Sequence, residues 1–275
     1  MIRSKVRSAV ERSPRVARIY RAFRDQLDQG SPAVVTPWGW TLRGHPTMAG
    51  GGYEPDETRL VRELLRDVDV FVNVGANVGY YCCHALELGK TVIAIEPVAR
   101  NVRYLLANIN DNGWGNRAQV FPVALGAESG VQIIWGGDTG ASLVKNWASI
   151  PTSYQSQVPV LTLDQVLGSA LMGRKALILA DIEGAEYFML QGAMKTLHSD
   201  SKHIWIVEIT ATQHQPEATP INPWLLDTFQ LFFNAGYTAS RVDGERSMVD
   251  EELVASAAVT GQLGSNNFIF MPKLI

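Results

Sequence analysis

The sequence predicts a doubly wound α/β domain built on a mostly parallel sheet, and three observations predict it. Short apolar, β-branched runs alternate with helix-compatible segments from residue 70 onward, the pattern of strands buried on both faces by crossover helices. The runs Thr91–Ile95, Ala176–Ala180 and Ile204–Val207 each stop on a carboxylate, Glu96, Asp181 and Glu208, at the strand ends where such sheets place their ligands. The leading run, Val70–Val74, passes into a turn of small residues, Gly75, Ala76, Asn77 and Gly79, and then into Tyr80–Leu88, which stops at Gly89. A strand, a glycine turn and a helix in that order put bare backbone N–H groups at the carboxyl edge of a sheet, where an anionic or carboxylate-bearing ligand can approach the chain.

Composition bounds the rest. The chain has 275 residues, 46% hydrophobic content and a net charge of −3, enough for one large domain (51–275) and an extension (1–50). A near-neutral chain of this kind excludes a nucleic-acid partner, which requires a clustered basic face. Cys82 and Cys83 are adjacent in a predicted helix, where neighbours point apart, so no disulfide joins them and a reducing, cytoplasmic location is expected. They lack partners at metal-ligand spacing. No apolar run reaches the ~20 residues of a membrane span, and the interrupted, basic start is not a secretory signal. Residues 1–29 are strongly basic, with Val16, Ile19, Tyr20, Phe23 and Leu27 at helical spacing after Pro14. This amphipathic helix either packs on the domain by one face or meets anionic lipid or a polyanion, which makes peripheral membrane contact one of two readings.

The remaining elements follow in order. Thr36–Leu42 reads as a small hairpin and Gly50–Asp56 as a hinge into a helix, Glu57–Arg66. Arg100–Asn112 is a helix with Val102, Leu105, Leu106 and Ile109 inward, and Gln119–Leu125 is a third strand. The exit of that strand, Ala124 and Leu125, lies either against an adenine ring or in plain core. Val131–Trp135 and Val158–Val160 are added β-pieces joined by the polar stretch 136–157, a lid or substrate platform by its length. Thr162–Asp164 caps a helix to Leu171, and Tyr237–Val242 with Phe268–Met271 closes the sheet as an antiparallel pair.

The chemistry turns on the glycine spacing. A dinucleotide fingerprint puts glycines at 73, 75 and 78, where this chain has Asn73, Gly75 and Val78, and no Gly-Lys-Ser/Thr marks a phosphate loop. What remains, amide-x-Gly-x-Asn-x-Gly, looks like motif I of S-adenosylmethionine-dependent methyltransferases; the bland reading is a tight βα turn and nothing more. Glu96 lies 21 residues beyond Gly75, where a doubly wound fold places the carboxylate that grips a ribose.

In this order and spacing, Tyr53-Glu54-Pro55, Val72–Gly79, Ala94–Pro97, Leu163-Asp164, Asp181–Glu186 and Glu208 resemble the FkbM family of S-adenosylmethionine-dependent methyltransferases, from about Gly52 to Phe270. The resemblance implies a Rossmann-like domain of the class I methyltransferase type with S-adenosyl-L-methionine as cofactor. The substrates it implies are hydroxyl groups of sugars, glycans or related natural products. By that resemblance Gly75, Asn77, Gly79 and Glu96 bind the cofactor, and Asp181 and Glu183 lie beside the transferring methyl; Glu54, Asn73, Ala76, Pro97, Ala124 and Asp181 are further candidates for the cofactor site. Two positions depart from the family pattern, Asn73 in place of Asp and Leu179 in place of Lys. The first and fourth strands are neighbours in such a sheet, so the two family charges are expected to pair across strands and to have been lost here together.

A sugar hydroxyl needs a base. Glu183 is the first candidate, Asp181 the second, and Glu208 supports them; His84 and His214 read more naturally as packed or surface residues. Asp181, Glu183 and Glu208 are oxygen donors of the kind a hard cation takes, but no metal is assigned. The rival readings are an NAD-dependent dehydrogenase or epimerase and a catalytically weakened binding protein that keeps the methyltransferase fold. The acceptor, a small molecule or glycan, is expected to be chosen by 136–157 with 214–223, where Trp147, Tyr154 and Trp224 suit stacking on a sugar.

Overall fold

Residues 32–273, apart from 138 and 244, are described by the computed structural model. The basic stretch 1–29, with its expected helix and membrane contact, lies outside the described residues. The chain enters through a hairpin, β1 (Val34–Val35) and β2 (Thr41–Leu42), and two helices, α1 (Pro46–Ala49) and α2 (Pro55–Leu64). Helix α2 starts two residues earlier than expected, because Pro55 presets φ for a first turn and needs no N–H there. It also ends earlier, and residues 65–67 continue as a tighter 3₁₀ turn.

The alternation then unrolls as β3 (Val70–Val74), α3 (Tyr80–Glu87), β4 (Thr91–Ile95), α4 (Ala99–Asp111) and β5 (Ala118–Phe121). A small sheet follows, β6 (Ala124–Leu125), β7 (Gly130–Trp135) and β8 (Gln155–Leu161), and after it α5 (Leu163–Leu167). The chain finishes with β9 (Ala176–Ala180), α6 (Glu186–Gln191), α7 (Met194–Leu197), β10 (Ile204–Glu208), α8 (Leu225–Asn234), β11 (Tyr237–Arg241), β12 (Met248–Val249), α9 (Glu251–Thr260) and β13 (Asn267–Pro272). The main sheet has the order β12-β11-β13-β10-β9-β3-β4-β5. Its strands from β10 to β5 run parallel, and β13 and β11 join antiparallel, so the expected C-terminal pair is present.

Strand β3 lies at the centre, fully buried, and its side chains alternate between two cores. Val70, Val72 and Val74 join one apolar cluster with Phe229 and Phe232 of α8, while Phe71 joins the other with α3, α4, Trp40 and Leu42. Asn73 falls on that second face, 2% exposed, directly across from Leu179 in the β3–β9 register. Cys82 and Cys83 are free and buried.

Three expectations are corrected. The third strand does not run through to Leu125: it stops at Phe121, because Pro122 has no N–H for the ladder, and Ala124–Leu125 pairs instead with β8 of the small sheet. Helix α4 buries Asn101, Tyr104, Leu105, Asn108 and Ile109, while Leu106 is 42% exposed and Val102 only half-buried. An apolar count misses that face because asparagines are buried in it, and Asn108 is satisfied there: it accepts from the Arg43 N–H at 2.8 Å and donates to the Val78 carbonyl at 2.8 Å. Helix α5 carries the Thr162 cap as a full capping box with Gln165, yet ends at Leu167 rather than Leu171, where Gly168 takes a positive φ of 50°.

Candidate active site

Two bends meet at the carboxyl edge of β3 and β9. After β3, Gly75 and Gly79 adopt φ of 81° and 88°, and Asn77 one of 50°. A Cβ on Gly75 would sit 1.9 Å from the Asp181 carbonyl oxygen, and one on Gly79 would sit 2.5 Å from Leu105. Only glycine lets the two strand exits and the helix pack this closely. The bend's N–H groups are not bare, contrary to expectation. Gly75 and Ala76 donate to the Ile95 carbonyl at 2.9 and 3.0 Å, and Asn77 donates to the Glu96 carboxylate at 2.8 Å. Backbone donors are spent tying β3 to β4, so the turn is no phosphate cradle.

Glu96 faces the bend. Its other oxygen accepts from the Val98 N–H at 2.8 Å and from Asn101 at 3.3 Å, and burial still pushes its pKa up to about 7 against those hydrogen bonds. Between this carboxylate and β9 lies a cavity that opens to solvent. Asn73, Gly75, Ala76, Asn77, Glu96, Pro97, Ala124, Asp181 and Glu183 all line it. Gly79 stands behind it as the N-cap of α3. Glu54 and Glu208 line a separate cleft of about 240 Å³ with Glu57; Asp181 borders both. Glu54 also accepts from the Tyr81 hydroxyl at 2.8 Å.

The second bend, 181–186, carries the carboxylates. Glu186, 4% exposed, turns inward and accepts from the N–H groups of Ile182 and Gly184 at 3.2 and 3.1 Å; burial raises its pKa to about 8. Burial, and then Glu208 beside it, hold Asp181 well above the usual carboxylate range. Burial likewise lifts Glu208 to about 7. Glu183 has a left-handed φ of 56° and accepts from the Trp147 indole N–H at 2.6 Å; burial and then Asp181 raise it to about 7, while that hydrogen bond opposes them. Among the described residues, no group of three or more His, Cys, Asp or Glu side chains converges as a metal site.

Two sequence readings change here. Trp147 is 1% exposed and bonded to Glu183, so it is not free to stack on a sugar. Its partner lies 36 positions away, a separation to which periodicity and local motifs are blind. Trp224 remains 38% exposed, but one ring face is covered by Tyr187, coplanar at 4.8 Å. Of the two histidines, His84 is fully buried among Trp38, Trp40 and Tyr80 and receives the Arg62 guanidinium at Nδ1; burial and that cation lower its pKa to about 3. It is a packing residue.

Four buried oxygens on residues lining the cavity, Oδ1 of Asn73, Asn77, Asn101 and Asp181, have no hydrogen-bond partner among the described residues. Unpaired buried acceptors are costly, so this wall calls for a ligand rich in donors or positive charge. S-adenosyl-L-methionine, with its ammonium, sulfonium and ribose hydroxyls, fits that demand. A doubly wound sheet with such a cavity at the exit of its central strands has the form of a nucleotide-type cofactor site.

The family model for the methyltransferase FkbM domain matches residues 73–238, more than half of the chain. This chain belongs to the FkbM methyltransferase family. Among solved structures, it is similar to the methyltransferase FkbM from Methylobacillus flagellatus KT, with 18% identity, 74% of this chain and 44% of that one covered, and a TM-score of 0.46. The chain therefore spans less than half of that protein's length. It is also similar to an O-methyltransferase from Bacillus cereus in complex with SAH, with 11% identity, 82% and 85% covered, and a TM-score of 0.44. A third is a TehB-like SAM-dependent methyltransferase from Corynebacterium glutamicum, with 11% identity, 82% and 92% covered, and a TM-score of 0.40. No curated protein sequence matches the chain.

Proposed function

We propose that this chain is an O-methyltransferase acting on a hydroxyl group of a sugar, glycan or related natural product. The observation that carries the reading is Glu183, a carboxylate on the cavity wall whose pKa is raised to about 7. A base does best when its pKa lies near the working pH, which makes a carboxylate raised in this way suited to accept a hydroxyl proton as the oxygen attacks. The cofactor, when bound, supplies an electrophilic methyl group on a sulfonium. The protein's own work is placement and proton handling. The Gly75–Gly79 bend and Glu96 hold the ribose side, and the unpaired amide and carboxyl oxygens of Asn73, Asn77, Asn101 and Asp181 receive donors. Glu183 takes the proton of the acceptor hydroxyl. Fixing two reactants in line contributes up to ~7–11 kcal/mol to such transfers.

Glu183→Gln tests the reading. Turnover is expected to fall about 10²- to 10⁴-fold, the usual weight of a general base, while isothermal titration shows S-adenosyl-L-methionine binding intact. Unchanged turnover removes Glu183 from the base role. The acceptor itself is sought by mass spectrometry of glycans from cells with and without the gene, read as a loss of 14 Da per methyl group, a ~14 Da step set by covalent composition.

A further inference from the structure

Trp147 belongs to an irregular stretch, yet it is buried as completely as the centre of the sheet, with 1% of its surface exposed. Its surroundings are fitted to it. Gly184, at φ 93°, leaves no room for a side chain, since a Cβ there would stand 2.5 Å from the indole ring. Ser142 donates its hydroxyl to the Glu183 carbonyl at 2.5 Å and also accepts from the Val144 N–H at 2.8 Å, binding the indole's own loop to the residue that the indole touches. The Ala148 N–H donates to the His214 carbonyl at 2.8 Å, which anchors the loop from its other side. A packing tryptophan needs a partner for its N–H, and almost any backbone carbonyl would serve. Here the partner is one oxygen of a carboxylate on the cavity wall, at 2.6 Å.

We propose that Trp147 is a positioning residue: its indole N–H holds the Glu183 carboxylate in place on the cavity wall and keeps it in the charged, proton-accepting form. The proposal rests on Glu183 as the base. Asp181, from the same bend, and Glu208, from β10, are the titratable groups that face Glu183, and both are acidic; His214 stands 6.0 Å from the Trp147 ring. The indole is thus the donor that opposes burial and Asp181 at this carboxylate. Taking the donor away leaves only influences that favour the protonated form.

Trp147→Phe keeps most of the ring and removes the N–H. The acid limb of the kcat/KM profile is expected to move up by about one to two pH units, the worth of a hydrogen bond to a charged group. Turnover at pH 7 should fall about 5- to 50-fold with that shift, since a base with a pKa near 7 is half ionised there, with S-adenosyl-L-methionine affinity unchanged by titration calorimetry. In the Glu183→Gln background the same substitution should cost nothing further, whereas a merely structural tryptophan costs as much again. A second measurement does not depend on the variant's folding or on turnover. The Trp147 indole ¹H–¹⁵N resonance should titrate with a midpoint near 7 in the wild type and stay flat in Glu183→Gln. An unmoved acid limb, an additive loss in the double variant or a flat wild-type resonance overturns the proposal. Wild-type turnover in Glu183→Gln sinks the base reading instead, and the positioning role with it.

Discussion

The two bends at the carboxyl edge of β3 and β9 solve one packing problem by opposite means. Both leave five-residue strands that lie side by side and are buried throughout. The first bend is made of small and amide residues and is fixed by its own backbone, with three successive N–H groups given to the end of β4. The second is made of carboxylates and is fixed by side chains, Glu186 holding two N–H groups of its own bend and Glu183 held by Trp147 from a distant loop. The first bend meets pH at one point, the Glu96 carboxylate that holds the Asn77 N–H, whereas the acidic wall opposite meets it at several. The contrast teaches that one cavity can be walled by two different kinds of chemistry.

The largest test reaches the strands themselves. Asn73→Asp and Leu179→Lys each place a charge at a nearly solvent-free position, and each should cost about 3–5 kcal/mol in denaturant unfolding. The double variant should recover part of that by about 0.5–3 kcal/mol of coupling, since the two positions are register partners. A double variant no more stable than the sum of the singles would falsify the idea that the pair was lost together. Next comes Gly75→Ala. The 1.9 Å approach to the Asp181 carbonyl and the positive φ predict a loss of about 2–5 kcal/mol from overpacking and backbone strain; an alanine variant as stable as the parent would remove the claim that the bends interlock.

Glu186 sharpens the comparison from the other side. Glu186→Ala strands two backbone donors and should cost about 1–3 kcal/mol, while Glu186→Gln, which keeps an acceptor, should cost less than about 1 kcal/mol. Equal losses in the two variants would mean that the carboxyl group itself, and not an acceptor of its size, holds the second bend. The remaining test is on pH. The folded-state pKa values of Glu57 and Glu186, about 8, and of Glu96, Glu183 and Glu208, about 7, lie above the ordinary 4.5. The native state therefore binds more protons than the unfolded chain between these values, and stability falls as pH rises through that window. The ligand-free protein should melt at a higher temperature at pH 5 than at pH 8, with a shallower slope in Glu186→Gln. A melting temperature that climbs across this range contradicts the raised values.

The first bend was legible from residues alone because its information is local. Strands β3, β4 and β9 were read with their observed limits, since short apolar runs between polar punctuation leave little freedom. The neighbouring of Asn73 and Leu179 followed from sheet order. What the sequence hid is non-local. The face of α4 turns on Asn108, which is buried because Arg43 and Val78 lie ready to meet it. Trp147 looked like a sugar platform because its exposure depends on Glu183 and Gly184, on the far side of a sheet hairpin. The turn N–H groups looked free because the Glu96 carboxylate and the Ile95 carbonyl that take them up arrive from the next strand.

The break at Pro122 has a consequence for how such a chain diversifies. By leaving the main sheet there, the polypeptide hangs the segment from 123 to 161 on a small sheet of its own. Insertions or deletions in that segment can remodel what reaches the opening without shifting the register of any strand that underlies the cavity. Relatives that differ in acceptor would then be expected to vary in length between Pro122 and Thr162 and to keep the interval from Asp69 to Pro97 nearly constant.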